Sequence, residues 1–102
     1  WTTAGNMPAR WVIHTVGPNY RAGQKDRALL QSCYRRSLGV ADELGAVTVA
    51  FPLVSAGSYG WPLDEAIDVA VSTLIKTPTN VDEARIVVRD PAIFEMVQER
   101  LR

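Results

Sequence analysis

Two repeat lengths alternate along the chain. Arg10 to Val16 reads Arg-Trp-Val-Ile-His-Thr-Val, a β-branched and aromatic run stopped by Gly17-Pro18. It predicts a strand. Its nearly continuous apolar character predicts burial on both faces, as in a parallel sheet. Ala4 to Pro8, ahead of it, is turn-like, and Asn19 to Lys25, behind it, is a polar loop. From Asp26 the spacing changes. Leu30, Cys33, Tyr34, Ser37, Leu38 and Ala41 recur at intervals of three and four, which predicts one stripe of a helix running to Leu44. Arg27, Arg35, Arg36 and Glu43 mostly face away from that stripe. Asp26 suits the N-cap, and Gly45 suits the position just past the end.

Val47 to Val54 is the strongest strand signal, with Pro52 expected near its end or at a bulge because proline cannot donate to a ladder. Pro62 suits the first turn of the next helix, and Asp64 and Glu65 follow where the helix dipole favours acids. Leu63, Ala66, Ile67, Ala70, Val71, Leu74 and Ile75 form its stripe, and Thr77-Pro78 ends it. Ala84 to Val88 reads as a third strand. Asp90-Pro91 is a cap followed by proline, opening a last helix with Ile93, Phe94, Val97 and Leu101 on one face. Strand and helix alternate three times. Connections of this length favour parallel strands with right-handed crossovers, hence a layered α/β fold. In such sheets ligands bind beyond the carboxyl ends of the strands. Gly17 to Tyr20, Ser55 to Gly60 and Arg89-Asp90 occupy that edge.

Composition narrows the function classes. The 102 residues carry 11 Lys+Arg and 11 Asp+Glu. That balance argues against nonspecific binding to DNA or to an anionic membrane. The length suits one domain or less. No apolar run approaches the length of a membrane span. Cys33 is the single cysteine and His14 the single histidine, which excludes an internal disulfide and a His/Cys metal cluster. An oxidising compartment is not needed, and no leader-like segment opens the chain, so the cytoplasm is the expected location.

Candidate chemistry concentrates in Ser55-Ala-Gly-Ser-Tyr-Gly60, between a strand and a helix start. Glycines permit positive φ and close approach of backbone to a ligand. Backbone N–H groups there can point at a phosphate, aided by the helix dipole. Tyr59 offers a hydroxyl and a flat face to a sugar or base. An ordinary strand-to-helix turn would read the same way, so both readings stand at this point. His14 reads as a hydrogen-bonded core histidine, and Cys33 as a buried, inert thiol. Ser55 and Ser58 have no evident base for a hydrolase triad. Asp90 reads as a cap rather than an acid catalyst.

Pro8-Ala-Arg-Trp-Val-Ile-His-Thr-Val-Gly-Pro18 resembles the central segment of macrodomains. Phe51-Pro-Leu-Val-Ser-Ala-Gly-Ser-Tyr-Gly-Trp-Pro62 resembles their second ligand-binding loop with its leading strand. The resemblance extends from about Gly5 to Leu101. It is greatest for the bacterial branch that removes acetyl from O-acetyl-ADP-ribose and mono-ADP-ribose from acidic side chains. It implies a mixed, mostly parallel sheet between helices, a three-layer α/β fold, and a cleft for ADP-ribose or O-acetyl-ADP-ribose, with no cofactor and no metal. By position it implies that Ser55, Ala56, Gly57, Ser58 and Tyr59 cradle the diphosphate and distal ribose. Arg89 stands where relatives often place an aromatic beside the adenine, and an arginine plane can also stack on a base. Ala56 replaces a frequent threonine.

The resemblance also implies an absence. Such domains begin with further residues that carry the first strands, an adenine-reading aspartate, an asparagine-rich segment and a Gly-rich loop with the catalytic aspartate. None of these motifs occurs here, so the chain looks like the carboxyl-terminal portion of a macrodomain, inactive as a hydrolase by itself, and the parent domain reads either as a hydrolase or as a non-catalytic module that binds ADP-ribose or a related nucleotide. Lacking inner strands, it is expected to pair its open edges with another copy, as a homo-oligomer, or with the missing amino-terminal part.

Overall fold

The computed structural model describes residues 2–3, 11–57 and 59–101, with side chains described from residue 13 onward. Helix α1, Arg27–Leu44, forms where the three-four spacing places it. The Asp26 carboxylate accepts from Ala28 N–H at 2.9 Å, and Gly45 takes φ +71° with its N–H turned back to Ala41 and Asp42 carbonyls. All six stripe residues are buried. Helix α2, Leu63–Lys76, begins one residue later than expected, because Pro62 stands at the cap rather than inside the first turn. Its buried face is wider than one stripe, since α1 packs on one side and α3 on the other. Val69 and Thr73 are therefore buried, whereas Ile75 is 69% exposed. Helix α3, Pro91–Leu101, is capped by Asp90, which accepts from Ala92 N–H at 2.8 Å. Only Val97 of its apolar face is buried. Phe94 and Leu101 are exposed, against the predicted stripe. The packing explains this: α3 reaches the body of the domain through Ile93, Met96 and Val97, against Ile67 and Val71 of α2.

Four strands are present among the described residues, in two pairs. β1, Thr2–Thr3, and β2, Trp11–Val12, are antiparallel. β3, Thr48–Phe51, and β4, Glu83–Ile86, are parallel, with Thr48 opposite Glu83 and Phe51 opposite Ile86. β3 stops at Phe51 because Pro52 has no N–H to continue the ladder. Both parallel strands are shorter than the apolar runs that predicted them. The larger correction concerns residues 10–16. Ladder pairing covers only Trp11–Val12, Arg10 and the turn at Ala4 to Pro8 lie outside the described residues, and His14, Thr15 and Val16 are exposed. Val16 is 83% exposed, so burial on both faces is overturned. Among the described residues no strand lies beside this segment. Grooves of about 510 Å³ towards α1 and about 630 Å³ towards β3 flank it instead.

The core lies between the helices and the parallel pair. Leu30, Tyr34, Leu38, Phe51, Trp61, Ala66, Val69 and Ala70 make one cluster, with the Tyr34 and Phe51 rings 5.5 Å apart. Asp68 of α2 pairs with both Arg27 of α1 and Arg100 of α3, tying the three helices at their solvent side.

Candidate functional site

The parallel pairing of β3 and β4 sends two connections out at one edge of the sheet. The first, residues 52–61, runs from the end of β3 into α2. It closes on itself: Gly60 N–H donates to Gly57 O at 3.0 Å and Trp61 N–H to Ser55 O at 3.1 Å. Positive φ falls on Ser55 (+66°) and Gly60 (+76°). The expectation that Gly57 needs it is corrected. At Gly57 the space a Cβ would enter is open, which leaves its backbone accessible to an incoming group. Ser55 in a left-handed conformation costs roughly 1–3 kcal/mol and persists only where its surroundings enforce it.

Those surroundings are residues 17–22 and α1. A Cβ on Gly17 would collide with Ser55 Oγ and Val54 Cγ1, so only glycine allows the two loops this close. Trp61 Nε1–H donates to the Pro18 carbonyl at 3.0 Å in a buried bond. Tyr20 packs edge-on against the Trp61 ring at 5.3 Å, and Arg21 N–H donates to Tyr59 O at 3.2 Å. From below, Tyr34 Oη accepts from Val54 N–H at 3.0 Å. Burial pushes the Tyr34 phenol up to about 12 and keeps it neutral, with the Val54 bond opposing in part.

Ser55, Ala56, Gly57 and Tyr59 are thus brought together, while Ser58 lies outside the described residues. Ser55 Oγ is buried and has no hydrogen-bond partner among the described residues. The loop delivers its chain to the start of α2, where Pro62 supplies no side-chain cap and Asp64 and Glu65 fill the first turn. Arg89 is exposed on the bend after β4, at the same sheet edge. His14 is exposed rather than a core residue, which corrects that reading. Cys33 is buried, its Sγ 3.6 Å from Val16 O and 3.5 Å from Leu29 O. Among the described residues no three His, Cys, Asp or Glu side chains gather as a metal site.

Two contributors escaped the sequence reading. Tyr34 looks there like one more member of an apolar stripe. Trp61 looks like a residue beside a helix-starting proline, and its bond to Pro18 spans 43 positions. Only the Gly17-Pro18 pair, a turn signal placed at the same sheet edge, offered a hint.

Comparison with known proteins agrees with this geometry. A family model described as Macro domain matches residues 1–70. A macro domain-containing protein of Streptomyces coelicolor is 54% identical over 100 residues, covering 98% of this chain and 59% of its own length. One of Streptomyces griseus is 48% identical, covering 98% and 57%. The chain therefore spans a little over half the length of these relatives. Among solved structures, an Oceanobacillus iheyensis macrodomain with ADP superposes with a TM-score of 0.91 at 31% identity, over 98% of this chain and 54% of that one. A Trypanosoma brucei macrodomain in complex with ADP-ribose gives 0.80 at 28% identity, over 94% and 41%.

Proposed function

Since this chain belongs to the Macro domain family, we propose that it binds ADP-ribose through the loop between β3 and α2. Ser55, Ala56, Gly57, Ser58 and Tyr59 cradle the diphosphate and distal ribose, and Arg89 stacks beside the adenine. The observation that carries this reading is the self-closed loop ahead of the α2 N-terminus, with Gly57 facing open space. Backbone amides held in that way, reinforced by a helix dipole, suit a diphosphate. The likeness to a macrodomain with ADP supports it. Calorimetric titration with ADP-ribose, ADP and adenosine is the test. Binding of the first two and not of adenosine alone is expected. A folded protein that gives no heat with ADP-ribose overturns the assignment.

We further propose that the complete domain hydrolyses O-acetyl-ADP-ribose or ADP-ribosyl esters in the cytoplasm. The 102 residues alone do not. Asp64 and Glu65 belong to the first turn of α2, and Asp90 caps α3, which leaves the loop without an assigned carboxylate to position water. Acetate release from O-acetyl-ADP-ribose by the pure chain, abolished by changing one of those three acids, would refute this. The exposed residues 14–16 and the outer edge of β3 are the surfaces by which the chain pairs with a second copy or with the remainder of a macrodomain. No helix among the described residues is long and apolar enough to cross a membrane.

A further inference from the structure

The loop's most strained residue, Ser55, is held by hydrogen bonds on both sides. Its own carbonyl accepts from Trp61 N–H at 3.1 Å. The residue before it, Val54, donates its N–H to Tyr34 Oη at 3.0 Å. Tyr34 is completely buried on the inward face of α1, 20 positions away in sequence, with its ring against Phe51 at the end of β3. The phenol therefore stands at the junction where the strand ends and the loop begins. Beyond Phe51 the ladder has no partner to offer Val54 N–H, and a part-buried amide that loses its acceptor costs stability. Phenylalanine would fill the same volume and leave that amide without an acceptor.

We infer that Tyr34 is a positioning residue for the ligand loop: its hydroxyl, mounted on α1, fixes Val54 and thereby holds Ser55, Ala56 and Gly57 in the arrangement that meets a diphosphate. The inference rests on the binding reading above and adds to it a residue that never touches the ligand. Rigid support of this kind raises affinity by removing the cost of ordering the loop on binding.

The test compares Tyr34→Phe with Thr79→Val. The second variant loses a hydroxyl that donates to Asp42 at the far end of α1 and accepts from Val81 N–H, and serves as a control away from the loop. Calorimetry with ADP-ribose should show about a fivefold weaker Kd for Tyr34→Phe, the loss of one hydrogen bond, and no change for Thr79→Val. Amide exchange at Val54, Ala56 and Gly57 should accelerate in Tyr34→Phe while amides of α1 and α2 keep their protection. Equal affinity in wild type and Tyr34→Phe overturns the inference, as does equal weakening in both variants, which would mark a merely structural role. If wild type itself does not bind ADP-ribose, the ligand reading fails, and unchanged exchange at Val54 in Tyr34→Phe overturns the latch separately. Should Tyr34→Phe fail to fold, exchange in the wild type decides: Val54 must be the slowest amide between residues 53 and 60, and fast exchange there defeats the proposal.

Discussion

The two ends of segment 11–22 meet opposite fates. Residues 17–22 are clasped against the loop after β3 by the Gly17–Ser55 contact, the Trp61–Pro18 bond, the Tyr20–Trp61 rings and the Arg21–Tyr59 bond. Residues 13–16, immediately before them and richer in β-branched side chains, lie beside a groove facing β3, with Ile13 half-buried and His14, Thr15 and Val16 exposed. Apolar content does not decide between these outcomes. What decides is whether a partner surface is present: polar groups of the clasped end find acceptors and donors within the chain, while no strand lies beside the extended end among the described residues.

The largest test of this contrast compares a residue that holds the clasped end with one from the extended end. Trp61 is 2% exposed and joins the core. Trp61→Ala should cost about 3–5 kcal/mol, the usual price of emptying a core aromatic site, against total stabilities near ~5–15 kcal/mol. Val16→Ala should change stability by less than ~0.5 kcal/mol. Urea unfolding measures both, and comparable losses would erase the distinction.

Alkaline pH probes the clasped side next. Tyr34 has its folded pKa raised to about 12, above the ~10 of an unfolded tyrosine. A raised pKa gives stability that is complete below pH ~10 and lost as pH climbs towards 12. Wild type should lose about 2–3 kcal/mol over that window relative to Tyr34→Phe. Parallel pH profiles for the two proteins would show that the phenol is not shielded.

Smaller still is the effect expected at the loop's glycines, and it is split. At Gly57 a side chain meets open space, so Gly57→Val should fold normally yet weaken ADP-ribose binding at least tenfold, about 1.4 kcal/mol. At Gly17 the same kind of change collides with Ser55 and Val54, and Gly17→Ala should cost stability and binding together. Unchanged affinity in folded Gly57→Val would remove that residue from the site.

These contrasts also mark how far the sequence could be read. Helix α1 was legible to the residue, because Asp26, Gly45 and a three-four stripe are local signals that agree. Helix α3 was legible in its cap and extent but not in its buried face, since Phe94 and Leu101 are as apolar as Val97 and only tertiary packing separates them. The loop after β3 was legible as a Gly/Ser turn with a family resemblance. Its positive φ at Ser55 was not, because serine carries no signal for that conformation. Tyr34 and Trp61 act across 20 and 43 positions, distances over which periodicity says nothing.

The finest test addresses the open side. Val47 O accepts from Asp82 and Glu83 N–H, and Phe51 O from Val87 N–H. Backbone direction alternates along a strand, so residues 47, 49 and 51 face β4, while Thr48 and Ala50 turn their N–H and C=O groups to the opposite edge. That edge borders the groove shared with Ile13, His14, Thr15 and Val16. If it pairs with another strand, proline at residue 50 removes a donor from the intermolecular ladder and leaves every β3–β4 bond intact. Ala50→Pro should therefore shift folded stability by no more than about 1 kcal/mol, one exposed hydrogen bond. Sedimentation velocity should nevertheless show wild type associating as concentration rises and Ala50→Pro remaining at 11.2 kDa. A wild type that sediments as a single 11.2 kDa species at all concentrations, with unfolding independent of concentration, would show that the open edge is content with water.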